Sequence, residues 1–101
     1  MSTAAFRHVV LFSWREGTAP DRIEAVRRGL AALPGIIPQI VDYRFGADLG
    51  INPGNADFAV MADFASLEDY LAYRDHPEHR RVITELLTPI IATRVAVQLS
   101  L

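Results

Sequence analysis

Three histidines are the side chains of this 101-residue chain best suited to moving a proton near neutral pH, and two of them, His76 and His79, flank Pro77. Imidazole titrates at about 6.5 when unperturbed, so small changes of environment decide whether it gives or takes a proton. Proline fits the first position of a helix, which makes His76 the expected cap and puts His79 in the first turn. There the positive end of the helix dipole disfavours imidazolium, and the ring stays neutral near pH 7. A neutral ring can take a proton. Tyr73, six residues before His79, is placed to face it across the His76-Pro77 bend, to orient it or to hold a developing enolate. General acid/base work of this kind is worth about 10²–10⁴ in rate, which suits enolisation of an activated substrate and not cleavage of a hard bond. The same residues have a structural alternative: His76 as a cap and His79 as a neutral ring bonded to a backbone carbonyl explain both without a substrate.

The other candidates narrow the chemistry. His8 stands among large apolar neighbours, where a core histidine needs a hydrogen-bond partner whether or not it meets a ligand. His76 and His79 have only Asp75 nearby as a third ligand, so no metal site is expected. With no cysteine in the chain, disulfides, thiolate metal sites and thiol nucleophiles drop out. Ser13 and Ser66 lack companions that would make a nucleophile, and Trp14 suits a core or interface role. The net charge of -2, with every basic residue an arginine and the arginines scattered, gives no reason to expect nucleic acid. The start, Met1 to Phe6, lacks the features of a signal peptide, and no run approaches the roughly 20 apolar residues of a membrane span. The expectation is a soluble cytoplasmic protein that needs no cofactor and no membrane.

These residues need elements to hold them. Half of the chain is hydrophobic, which fits one domain over residues 1–101. Phe6 to Trp14 reads as a first strand. Thr18 as cap and Pro20 in the first turn open a helix carrying Ile23, Val26, Leu30 and Leu33, which Pro34-Gly35 should end. Val41, Tyr43 and Phe45 alternate with Asp42 and Arg44 as an edge strand, and Gly46 to Ala56 is a loop. Phe58 to Phe64 is a third strand. Ser66 and Asp69 open a second helix whose core stripe is Leu67, Tyr70 and Leu71. A helix restarting at Pro77 turns Val82, Ile83, Leu86 and Leu87 inward, and Ile90 to Leu99 closes the chain as strand four.

Two strand-helix-strand units give an α+β chain of the split, ferredoxin-like kind, β-α-β-β-α-β, with strands one and three central in a four-stranded antiparallel sheet. Both strands are apolar on both parities, as expected only when both faces are buried. The helices cover one face. Leaving the other bare would expose several hundred Å² of apolar surface, and burying it against a second copy gains on the order of 10 kcal/mol before association entropy is subtracted. A homodimer through the sheet face is the expected partner arrangement.

His8-Val9-Val10-Leu11-Phe12, Tyr43-Arg44-Phe45-Gly46, Ser66-Leu67-Glu68-Asp69 and the run Tyr73-x-x-His76-Pro77-x-His79 together resemble the stress-responsive dimeric A/B barrel domain (Dabb) family, essentially from Phe6 to Leu99. The resemblance implies a dimeric α+β barrel with a pocket between each subunit's sheet and helices. On this chain that pocket would be lined by His8, Val10, Phe12, Leu30, Phe58, Val60, His76 and Val82. It also implies roles by analogy with a plant polyketide cyclase of the family, olivetolic acid cyclase, which works without metal or cofactor: His79 matches its acid/base and Tyr73 its assisting tyrosine. Phe58 stands where the cyclase has a further pocket histidine, which points to a greasier ligand or to no catalysis.

Three function classes follow. The first is a homodimer binding a small, largely apolar molecule without turnover. A second is a cofactor-free lyase, isomerase or cyclase using His79 and Tyr73. The third, a haem-handling or quinol-forming monooxygenase, rests on related dimeric α+β barrels and on no residue of this chain.

Overall fold

Period-two alternation in four segments and helical spacing between them produce the expected order in the computed structural model, which describes residues 3–101; Met1 and Ser2, part of the start read above, lie outside the described residues. The elements are β1 (Phe6–Trp14), α1 (Pro20–Ile36), β2 (Asp42–Ala47), β3 (Phe58–Phe64), α2 (Leu67–Asp75), α3 (Pro77–Arg81), a π-helical segment Val82–Leu87, and β4 (Ile91–Ser100). The four strands form one antiparallel sheet in the order β2-β3-β1-β4. β1 and β3 are central as their apolar sequences require, and β2 is an edge.

Register decides which side chains share a face. Val10 sits opposite Val60 on β3 and Ala96 on β4, and Phe12 opposite Phe58 and Arg94. This parity carries Val10, Phe12, Phe58, Val60, Ala62 and Phe64, all buried under Val26, Leu30 and Leu33 of α1. α1 also lies close to the π segment: a Cβ on Gly29 would come within 3.0 Å of Leu86 Cδ1 and 3.2 Å of Val82 Cγ2. The opposite parity carries Val9, Leu11, Ala59, Met61, Val95, Val97 and Leu99 with no helix over it. Val95 is 64 % and Val97 54 % exposed, so the bare apolar face read from strand parity is present. At one end of that face Arg7 donates to both carboxylate oxygens of Asp63, at 2.7 and 2.9 Å.

Several local expectations are corrected. Thr18 does not cap α1; its hydroxyl donates to the Arg15 carbonyl at 2.6 Å within a turn that also holds Gly17 at φ 79°, and the cap position falls to Ala19. Pro34 does not end α1, which continues to Ile36 and closes through Ile37 N–H to the Leu33 carbonyl. A proline this near the C-terminus forfeits one hydrogen bond, and the fully buried Ile37 just beyond holds the last turn in place. Leu67 is 61 % exposed, so the inward face of α2 is set by Tyr70 and Tyr73. The last helical stretch widens: the Thr88 N–H reaches back five residues to the Ile83 carbonyl at 2.8 Å. That turn brings Val82 and Leu87 to the core together, a spacing the α-helix does not favour. The Ser66 cap formed as expected, its Oγ accepting from Asp69 N–H at 3.1 Å.

Candidate functional site

Pro77 has no N–H to continue α2 and an φ already suited to starting a helix, so the chain bends at His76 and restarts. His76 caps α3, its Nδ1 accepting the Glu78 N–H at 3.1 Å. The bend folds the first turn of α3 back on the last turn of α2. Tyr73 and His79 meet there, ring centroids 4.1 Å apart and planes inclined by 34°.

His79 is hydrogen-bonded through Nδ1 to the Arg74 carbonyl at 2.9 Å. A carbonyl only accepts, so Nδ1 carries the proton and Nε2 keeps its lone pair. Burial holds the His79 pKa below its ordinary value against the raising effect of that bond, and the charges of Arg80, His76 and Arg94 lower it further. The ring is therefore a neutral acceptor at pH 7, with burial as the leading cause.

Tyr73 is buried, and its hydroxyl lies 2.9 Å from that of Tyr43 on β2 rather than on the imidazole. Burial first, and Tyr43 next, push the Tyr73 pKa far upward, while burial takes Tyr43 up to about 12. Both stay phenols. His8, on β1, finds the partner that burial demands directly across the β1–β4 register: the Gln98 amide donates to its Nδ1 at 2.7 Å. Its pKa is pushed down to about 4, by burial first and then by Arg94 and His79.

These groups converge on a cavity of about 270 Å³ between the sheet and the helices. Of the sequence-predicted positions, His8, Val10, Phe12, Leu30, Val60 and Val82 line it together with Tyr73 and His79. Phe58 and His76 do not. Phe58 is buried between Trp14 and Phe45, at ring centroid distances of 5.5 and 6.4 Å, and borders a different hollow beside the β2–β3 loop. The ring of His76 is occupied as a cap. Sequence reading missed Tyr43, Arg80 and Arg94, which also line the cavity. Arg94 shares the helix-facing parity of Phe12, a signal that exists only once β4 is registered against β1. Among the described residues no group of three or more His, Asp or Glu side chains stands together as a metal site.

The stress responsive A/B barrel domain family matches residues 6–101. The chain belongs to that family. Among solved structures, a protein from Thermobifida fusca, described as a dimeric ferredoxin-like protein of unknown function, is 45% identical over 97% of this chain and 92% of its own, with a TM-score of 0.89. A dimeric ferredoxin-like protein from Bacteroides fragilis covers both chains fully at 24% identity and a TM-score of 0.83. The hydroxynitrile lyase of Passiflora edulis shares the fold at 20% identity, covering 97% of this chain and 94% of its own, with a TM-score of 0.84. Among curated proteins no match to the chain was found. The Dabb chain thus has the ferredoxin-like fold, with relatives described as dimers, and among the described residues no helix long and apolar enough to cross a membrane.

Proposed function

We propose that this one-domain Dabb chain is a cytoplasmic homodimer, closed by its two bare sheet faces, that binds a small, largely apolar molecule in the cavity between sheet and helices. The cavity carries the reading: an apolar wall of Val10, Phe12, Leu30, Val60 and Val82 meets a few convergent polar groups, the usual composition of a small-molecule site. The exposed Leu11, Val95, Val97 and Leu99 and the dimeric relatives support the homodimer. Binding is tested by calorimetry with a panel of small apolar compounds against wild type and the cavity-filling Val60→Phe. Binding to wild type that the larger side chain abolishes supports the site, and equal binding to both removes it.

A second reading is favoured by one observation, a neutral His79 at the cavity wall whose Nδ1 is taken by the Arg74 carbonyl, which leaves Nε2 as the basic nitrogen. A base so placed can draw a proton from a carbon or hydroxyl acid held on the apolar wall, with no metal or cofactor. Cofactor-free lyase or cyclase chemistry has this requirement, and the hydroxynitrile lyase of the same fold adds support. Turnover of β-keto and cyanohydrin substrates by wild type and His79→Ala decides it: a fall of about 10²–10⁴ in the variant supports catalysis, and equal rates exclude it.

A further inference from the structure

The cavity carries positive charge that a neutral ligand would not call for. Arg74, Arg80 and Arg94 all line it, and among the described residues no aspartate or glutamate does. Arg74 is neutralised by Asp75, its Nε and one terminal nitrogen donating at 2.9 and 3.1 Å. Arg80 and Arg94 have no carboxylate within ion-pair distance among the described residues. Both are solvent-exposed residues that also line the cavity, so water screens them in part, and an anion entering there meets guanidinium donors with no carboxylate competing for them.

Arg94 is the better placed of the two. It pairs with Phe12 across the β1–β4 register, on the helix-facing parity that carries His8 and Val10. Its charge adds to burial in lowering the pKa values of His8 and His79 and opposes the rise at Tyr73.

Resting on the reading that this cavity holds a small molecule, we infer that the molecule is an amphipathic carboxylic acid bound as its anion, with the carboxylate on Arg94 and the apolar body against Val10, Phe12, Leu30 and Val60. Arg80 supplies a second positive charge at the same cavity. The guanidinium fork matches the two oxygens of a carboxylate. A phosphate monoester, with a charge of about -1.5 to -2 and three acceptor oxygens, would draw on Arg94 and Arg80 together, and the phosphate probe distinguishes it from a carboxylate. A volume of about 270 Å³ lies just below the range of about 300–1,000 Å³ typical for drug-sized ligands, so the acid is short-chain or singly aromatic.

The probes are 4-phenylbutanoate, its methyl ester and 4-phenylbutyl phosphate, titrated calorimetrically into wild type, Arg94→Met, Arg94→Lys and Arg22→Met. Arg22 is exposed and away from the cavity, and controls for net charge. The acid is expected to bind wild type and Arg22→Met alike and Arg94→Met about 10- to 100-fold more weakly. Arg94→Lys retains the charge and is expected to fall between them, so the comparison survives should the methionine variant fail to fold. The ester is expected to bind weakly and equally to wild type and Arg94→Met. Ester binding as tight as that of the acid, or acid binding indifferent to Arg94, overturns the inference while leaving the cavity a ligand site. Tighter binding of the phosphate overturns the choice of carboxylate. If neither acid nor ester binds, the ligand-site reading fails and the inference with it.

Discussion

The Tyr73 ring lies tilted against the His79 imidazole, centroids 4.1 Å apart, while its hydroxyl turns away to Tyr43 at 2.9 Å. Ring and hydroxyl therefore have separate jobs. Tyr73→Phe keeps the ring and is expected to cost about 1 kcal/mol of stability for the lost hydroxyl pair. Any activity of His79 should survive it. Thermal unfolding and a turnover assay check this; a loss of turnover as large as that of His79→Ala would put the hydroxyl on the substrate instead.

His76 works for the backbone. His76→Ala should destabilise the chain by about 0.5–2 kcal/mol through loss of the α3 cap, with His76→Asn recovering most of it. Ligand affinity should be unchanged in both, because the side chain does not line the cavity. Urea unfolding and calorimetry separate the two effects, and a loss of affinity without loss of stability would return His76 to the ligand.

Stability should depend on pH through the imidazoles. His8 and His79 are both held below their ordinary value, so the folded chain binds fewer protons than the unfolded chain and stability rises with pH. For His8 the contribution is complete above pH 6.5 and is lost as pH falls toward about 4. His8→Gln should flatten the unfolding free energy measured across that window. A wild-type curve already flat there contradicts a buried neutral His8.

The bare sheet face should hold the dimer. Val97→Asp puts a charge on a surface that is 54 % exposed in the isolated chain, so it costs the monomer little and the interface much. Sedimentation equilibrium is expected to give twice the chain mass of 11.2 kDa for wild type and the chain mass for the variant. Wild type sedimenting as a folded 11.2 kDa species at micromolar concentration would remove the dimer.

What was legible in the sequence was chemistry confined to neighbouring residues. Proline after His76 announced the bend and the cap, Ser66 with Asp69 announced a helix start, and the two apolar parities of β1 and β3 announced a sheet needing cover on both faces. What was not legible depends on partners distant along the chain. Gln98 meets His8 only through register, ninety positions away, and Arg94 enters the cavity by the same registration. Thr18 and Leu67 misled because a hydroxyl and a leucine can be satisfied elsewhere, one by a turn carbonyl and the other by remaining at the surface. The π turn escaped because a widened turn leaves no distinctive residue spacing when Val82, Ile83, Leu86 and Leu87 also fit an ordinary helix.

Methyl-resolved NMR of wild type titrated with 4-phenylbutanoate and with the apolar panel tests the cavity most directly. For every compound that binds, the methyl signals of Val10, Leu30, Val60 and Val82 and the ring signals of His79 should shift together, with Val95 and Val97 unmoved. Shifts confined to the Val95 and Val97 face, or none in the cavity for a compound shown to bind, would contradict the account.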